Sequence, residues 1–222
     1  MRRDKSERKI LEMLLLAASI LLIVGVTVEV VVGDKSHFSS WFLTLQFVVC
    51  TIFLLSFFVG LSEAKSPRKY VVRNLAFLIL SMPYLNIMTW FTPNLDRTTF
   101  MLAGASPVLR SLLAISIILR WTIRGNSAKR LFFAYTLAVC LFAHLSALLL
   151  YDIEYGVNPA LTNFGDAVWW AWMGISTAGA QLVPISGIGR ALGAILPMMG
   201  MMILPIFTGY ILSIEKQRNN NQ

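Results

Sequence analysis

Residues 164–185 read FGDAVWWAWMGISTAGAQLVPI, and this stretch decides how the rest of the chain is interpreted. Residues 164–174 are aromatic and compatible with a helix, but a helix of about 10 residues is too short to cross a bilayer. Residues 175–185 then carry small and polar side chains as far as Pro184. A short helix followed by irregular backbone predicts a re-entrant hairpin, which is tolerated at membrane depth only inside protein or beside a water-filled cavity.

Outside this stretch the chain is strongly apolar. Of its 222 residues, 57% are hydrophobic and only 14% are charged, and the mean hydropathy is +0.69. Soluble domains carry about 25% charged residues. The composition therefore excludes a soluble enzyme and predicts a protein that resides in the lipid bilayer.

Six apolar runs are long enough to cross a bilayer as helices, for which about 20 residues are needed. They cover residues 10–32, 41–61, 70–91, 100–123, 131–151 and 188–214. The sequence thus predicts an all-α membrane protein with six transmembrane helices and a re-entrant helix and loop between the fifth and the sixth. The predicted parts are an N-terminal segment (1–9), a four-helix domain (10–124), a second domain (125–214) and a tail (215–222).

The basic residues indicate the orientation of these helices. Fifteen of the 19 Lys and Arg residues lie in the N-terminal segment, in two alternate connections and in the tail. This positive-inside pattern predicts a multi-pass protein of a bacterial inner (plasma) membrane with both termini cytoplasmic. The same distribution argues against nucleic acid as a partner, in spite of the net charge of +8.

Motifs of catalysis are absent from the sequence. It contains no HExxH, no GxSxG and no Gly-rich phosphate loop, so no enzyme activity is expected. Cys50 and Cys140 both lie inside apolar runs without the spacing of metal ligands, and we interpret them as packing residues. Neither a metal nor a cofactor is expected.

The region around the quoted stretch resembles the voltage-gated potassium channel family in its six-helix bacterial form. That family has an acidic residue after the fifth helix, a pore helix reading D-A-x-W-W-A, and a sixth helix with a glycine hinge. Here Glu154 follows the fifth run, and residues 166–171 read DAVWWA. Gly193 and Gly200 are seven residues apart, as in the family.

A second likeness lies in the third run, where the family often has an Asn nine residues before a Pro-Tyr pair. This chain has Asn74 followed by Pro83-Tyr84. The resemblance implies a homotetramer in the lipid bilayer that conducts monovalent cations, K⁺ or Na⁺, with a voltage-sensor-like domain at 10–124 and a pore domain at 125–214. It also implies a pore helix with Asp166, Trp169 and Trp170, and an inner-helix hinge at Gly200 and Pro205.

The family's filter motif T-V-G-Y-G-D is altered in this chain. In register it falls on residues 177–182, where only Thr177 and Gly179 match. Backbone carbonyls of such a filter replace the hydration shell of potassium, and the loss of glycines and of the tyrosine predicts poor selectivity. The alternative interpretation is a polar turn that caps a short helix. The filter-like residues are Ser176, Thr177, Ala178, Gly179, Ala180 and Gln181.

The voltage-sensor pattern is depleted as well. Three arginines remain in the fourth run and directly after it, namely Arg110, Arg120 and Arg124. The position of the family's third-helix aspartate holds Phe77, and Glu29 is placed to snorkel or to pair with Arg110. Steep voltage gating needs 3–4 moving charges per subunit, so weak voltage dependence is expected. The function expected from the sequence is a poorly selective cation channel; the alternative is a non-conducting membrane protein that keeps the channel fold and acts through partner proteins.

Overall fold

The structure, a computed structural model, describes residues 5–33, 39–64, 66–91, 110–119 and 128–219. Within these ranges every regular element is a helix. The helices are α1 Lys5–Val32, α2 Ser40–Ser62, α3 Pro67–Arg73, α4 Leu75–Leu80, α5 Tyr84–Phe91, α6 Arg110–Leu119, α7 Ala128–Glu154, α8 Phe164–Ile175, α9 Gly187–Met201 and α10 Ile203–Asn219.

Four stretches of the described chain are helical, long and apolar enough to cross a membrane. They are Ile10–Val32, Ser40–Ser62, Arg130–Glu154 and Gly187–Glu215, the last of which combines α9 and α10. The all-helical, multi-pass character predicted from the sequence is therefore confirmed. Large apolar side chains such as Val32, Leu55 and Leu204 are exposed on these helices, as a lipid-facing surface requires.

The third and fourth predicted spans are not among those four. The third, residues 70–91, is divided into α3, α4 and α5 by interruptions at Asn74 and at residues 81–83. Pro83 has no N–H to donate, which explains the second interruption. Of the fourth run, only α6 lies within the described residues, and its 10 residues are too few to span alone. The six-span count stays a prediction.

The chain divides into two compact units, Met1–Ile118 and Leu119–Gln222. The predicted boundary at 124/125 falls among residues 120–127, which lie outside the described part. In the first unit, α1 packs on α2 through Ala18, Leu22 and Val26, which recur every four residues and so share one face of the helix. The buried residues of α2, which also contacts α3, α4 and α5, are Phe42, Gln46, Val49, Cys50, Phe53 and Phe57.

In the second unit, the short helix α8 packs against α7 and α9, and α10 returns to α7. The buried side chains of α8 form one stripe along the helix; they are Ala167, Trp170, Ala171 and Ile175. Leu192 and Leu196 of α9 are buried as well. The small side chains on this stripe let α8 approach its neighbours closely, and this packing positions the loop that follows.

Candidate functional site

The N-terminus of α8 is fixed by a capping box. The Asn163 side chain accepts a hydrogen bond from the Asp166 N–H at 3.2 Å, while the Asp166 carboxylate accepts from the Asn163 N–H at 3.0 Å. The carboxylate also accepts from the Thr162 hydroxyl at 2.6 Å and the Thr162 N–H at 2.8 Å. These bonds, led by that of the Thr162 hydroxyl, lower the pKa of Asp166. Asn163 and Asp166 therefore fix the start of the short helix together.

The two predicted pore-helix tryptophans lie on different faces of α8. Trp170 is buried, with 4% of its surface exposed, whereas Trp169 is 62% exposed. Trp172 is half exposed. Trp170 thus belongs to the core of the second unit, whereas Trp169 and Trp172 lie on its surface.

The chain leaves α8 through a tight turn at Thr177. The Ala178 N–H donates to the Met173 carbonyl at 3.2 Å and the Thr177 N–H donates to the Gly174 carbonyl at 3.1 Å, which is the Schellman arrangement. Thr177 occupies the left-handed position of this motif, with φ 58°, although that position normally holds Gly or Asn. A β-branched residue there is strained, so the start of the filter-like loop is an unusual backbone conformation.

The other filter-like residues extend from this turn without regular structure. Ser176, Ala178, Gly179 and Gln181 are exposed and Ala180 is half buried. Gly179 also has a positive φ, 82°, with open space around it. Leu182 turns into the core and ends the exposed stretch. The loop thus presents polar side chains and backbone at the end of α8, as either predicted interpretation requires.

Residues 183–186 lead from the loop back to α9, and we call them the return segment. This segment is held by Glu154, the last residue of α7. One carboxylate oxygen accepts hydrogen bonds from the N–H groups of Ile185 (3.1 Å) and Ser186 (2.9 Å) and from the Ser186 hydroxyl (2.6 Å). The other accepts from the Asn158 amide at 2.8 Å, and the same amide donates to the Val183 carbonyl at 3.1 Å. Glu154 is only 1% exposed. One buried carboxylate therefore ties the return segment to the end of α7.

The span Gly187–Glu215 is interrupted at Met202, between α9 and α10. Pro205 lacks the N–H that would bond the Met201 carbonyl, and its ring crowds that carbonyl. Just before the interruption, the Tyr135 hydroxyl donates to the Met199 carbonyl at 2.7 Å. After it, Tyr210 stacks on Phe132 of α7 with ring centroids 5.3 Å apart. The interruption thus lies between Gly200 and Pro205, the two predicted hinge residues; whether the helix moves there stays a prediction.

Gly200 makes a close backbone contact. A Cβ at this position would overlap the carbonyl oxygen of Ile175, the last residue of α8, and would lie 2.8 Å from the carbonyl carbon. The absence of a side chain therefore lets the C-terminal end of α8 rest against α9. This gives Gly200 a packing role in addition to the predicted hinge role.

In the first unit, Arg110 is the sensor-like residue that the structure describes. Its guanidinium is 1% exposed and donates to the side-chain oxygen of Gln46 and to the backbone carbonyls of Leu80 and Met82. The predicted partner Glu29 instead accepts a hydrogen bond from the Ser39 N–H at 2.7 Å. The other two sensor-like residues, Arg120 and Arg124, lie outside the described residues.

Several residues of these sites were missed by sequence reasoning. Gln46 is a polar residue inside an apolar run, and that contrast is a signal that would have found it. Asn158 and Tyr135 carry no such signal, because Asn158 lies in a polar connection and Tyr135 resembles an interfacial aromatic residue. Their partners lie 25 and 64 residues away along the chain.

The exposed loop after α8 offers carbonyls, hydroxyls and an amide, whereas the charged groups of Asp166, Glu154 and Arg110 are engaged in the hydrogen bonds described above. Among the residues that the structure describes, no three His, Cys, Asp or Glu side chains are grouped to hold a metal ion. The exposed loop after α8 offers the Thr177 hydroxyl, the Gln181 amide and backbone carbonyls, which are ligands suited to weakly bound monovalent cations. No protein-family model, no curated protein and no solved structure matches this chain.

Proposed function

We propose that this chain is one subunit of a homotetrameric, poorly selective channel for monovalent cations, similar to potassium channels. The observation that carries the proposal is the arrangement of α7, the short helix α8, the exposed loop and α9, with the return segment tied to Glu154. A short helix that ends in a polar loop between two spanning helices is a way to present backbone groups to a path across the membrane.

Four subunits are proposed because a single loop does not enclose a path. Exposed apolar side chains on α8 and α9, such as Trp169, Ile188 and Ile195, offer a surface for further copies or for lipid. We place the channel in the bacterial inner (plasma) membrane with both termini cytoplasmic, on the strength of the positive-inside distribution of Lys and Arg.

Poor selectivity follows from the loop. Within the loop, the Ser176 carbonyl already accepts a hydrogen bond from the Thr177 hydroxyl at 2.6 Å, so it is less available to an ion. Ala180 and Gln181 stand where the resemblance places Tyr and Gly, and a side chain at the Gly position disfavours the left-handed backbone that lines up filter carbonyls. Potassium selectivity depends on close replacement of the hydration shell by such carbonyls, and this loop is poorly built for it.

The Schellman turn that caps the C-terminus of α8 also favours the second candidate, a non-conducting membrane protein that keeps the channel fold and acts through partner proteins. In that case Thr177 simply ends α8, and the loop is a turn rather than an ion path. The two candidates differ in one measurable property, which is the passage of ions.

The experiment is cation flux into liposomes that contain the purified protein, together with its mass in detergent by native mass spectrometry. The proposal expects a tetramer and a flux that Gln181→Glu increases severalfold, because four added carboxylates concentrate cations at the loop. Asn219→Asp is the matched control: it makes the same amide-to-carboxylate change at the exposed end of α10 and leaves the flux unchanged. A monomer, or a flux insensitive to Gln181→Glu, counts against the channel.

A further inference from the structure

Arg110 is held by three acceptors that carry no charge. Its Nε atom donates to the Leu80 carbonyl at 2.8 Å, one Nη atom donates to the Met82 carbonyl at 2.6 Å, and the other donates to the Gln46 side-chain oxygen. Gln46 is fully buried on α2. Among the described residues, no carboxylate is a partner of Arg110. A buried cation without a countercharge is stable only when its N–H groups are well bonded.

The two backbone acceptors belong to the interruption between α4 and α5. In a continuous helix, the Leu80 carbonyl would accept from the Tyr84 N–H. That N–H instead donates to the Met82 carbonyl at 2.9 Å, and Pro83 has no N–H at all. Because lipid offers no hydrogen bonds, carbonyls freed at such a break need a partner from the protein. Arg110 is that partner.

An aromatic cluster lies on the same helices, further along the buried side of α2. Phe77 of α4 stacks on Phe53 and Phe57 of α2, with ring centroids 5.8 and 6.4 Å apart, and Tyr70 contacts Phe57 at 5.6 Å. Phe53 and Phe57 follow Gln46 by about 10 and about 16 Å along the helix. If the Arg110 side chain moved in this direction, it would lose its three hydrogen-bond acceptors and would contact aromatic rings in their place.

From this placement we infer that Arg110 is a fixed clamp, which ties α6 to α2 and to the break at residues 81–83, and that it is not a charge that moves with the membrane potential. The planar guanidinium holds its N–H donors in a fixed arrangement, so that it can bond Gln46 on α2 and the carbonyls at the break after α4 at the same time. It is a positioning residue of the first unit. The inference does not rest on the proposed channel function, because it concerns the packing of Met1–Ile118 alone.

Cys50 reports on this clamp because it lies one helical turn after Gln46 on α2 and is fully buried. The test uses the full chain with Cys140→Ser, so that Cys50 is the single thiol, in liposomes with potassium inside and N-methylglucamine outside. Valinomycin sets a potential of about 100 mV, at which one moving charge shifts a two-state equilibrium by about fiftyfold. The readout is the rate at which N-ethylmaleimide modifies Cys50.

A fixed clamp predicts that this rate differs less than about twofold with and without the potential. Arg110→Lys keeps the charge and loses the fork of donors, and should raise the rate about tenfold at zero potential, which corresponds to about 1.4 kcal/mol. Arg190→Lys, the same change at an exposed site of the other unit, should leave the rate unchanged. A rate in the unsubstituted Arg110 protein that follows the potential overturns the inference, and so does a wild-type rate in Arg110→Lys. If Arg110→Lys does not fold, the voltage dependence of the Arg110 protein decides alone.

Discussion

Among the described residues, Arg110 in the first unit and Glu154 in the second are the two most deeply buried charged side chains, and they are held in opposite ways. Arg110 in the first unit donates to carbonyls at the C-terminal end of α4, whereas Glu154 in the second unit accepts from N–H groups just before the N-terminus of α9. Helix C-termini expose carbonyls and helix N-termini expose N–H groups. The comparison teaches that the sign of each buried charge matches the backbone groups that an interrupted helix leaves exposed.

The largest loss of stability is expected when the buried carboxylate of Glu154 is removed from the N–H groups that it accepts from. Glu154→Leu leaves two N–H groups and the Ser186 hydroxyl without their acceptor, and should lower the free energy of unfolding by about 2–4 kcal/mol. Glu154→Gln keeps an acceptor for these groups but turns an amide N–H₂ toward the Asn158 amide, so it should cost less. Thermal unfolding in detergent measures both. Glu215→Gln, at an exposed position, is the control, and equal stability of Glu154→Leu and wild type would refute the anchor.

The interruption at Met202 sharpens the comparison because a close backbone contact, rather than a buried charge, lies beside it. Gly200→Ala places a methyl group against the Ile175 carbonyl, and we expect a loss of about 1–3 kcal/mol in stability. Gly209→Ala is the matched control, since a Cβ at that helical position meets no neighbour. It should be neutral or slightly stabilising. The contact account is wrong if the two substitutions give the same melting temperature.

A smaller effect is expected at the turn after α8. Thr177→Gly removes the strain of a left-handed β-branched residue and should stabilise the protein by about 1 kcal/mol. Thr177→Val keeps the strain and loses the hydroxyl bond to the Ser176 carbonyl, which is 2.6 Å long, so it should destabilise. Opposite shifts of the melting temperature are the expected result. Shifts of the same sign would mean that Thr177 is not strained.

The smallest effect concerns Asp166 and pH. Because hydrogen bonds lower its pKa in the folded protein, the stability that it contributes is fully present above the ordinary carboxyl value of about 4. That contribution is lost as the pH falls through the lowered pKa. The melting temperature of Asp166→Asn should therefore lie below that of wild type at neutral pH, and the difference should shrink below about pH 4. A difference that is independent of pH would contradict the capping role.

The sequence predicted the second unit better than the first. The short helix was expected at residues 164–174 and is found at Phe164–Ile175, because Asn163 and Asp166 cap its start and the turn at Thr177 caps its end. In the first unit, Pro83 was interpreted as a family landmark inside one span, yet it interrupts that span. Such a break is stable only with a partner for its carbonyls, and that partner, Arg110, lies 28 residues beyond Met82. Local patterns cannot reveal a bond of this range.

Of the two expectations for Glu29, to snorkel or to pair with Arg110, the pairing is not found among the described residues, for a related reason. Opposite charges in apolar runs suggest a pair, but Glu29 accepts a hydrogen bond from the Ser39 N–H next to the start of α2. Arg110 is held by Gln46 and by backbone carbonyls instead. In both cases backbone groups at helix ends took the place of the expected charged partner.

The measurement that tests the account most directly is the reversal potential of currents through the purified protein in a planar bilayer, with potassium on one side and sodium on the other. The expected result is a cation current that reverses near zero, because the loop after α8 lacks the second glycine and the tyrosine of a selective filter and passes partly hydrated ions. Reversal at the potassium equilibrium potential would contradict the poor selectivity. Absence of current from protein shown to be folded and tetrameric would contradict the channel itself.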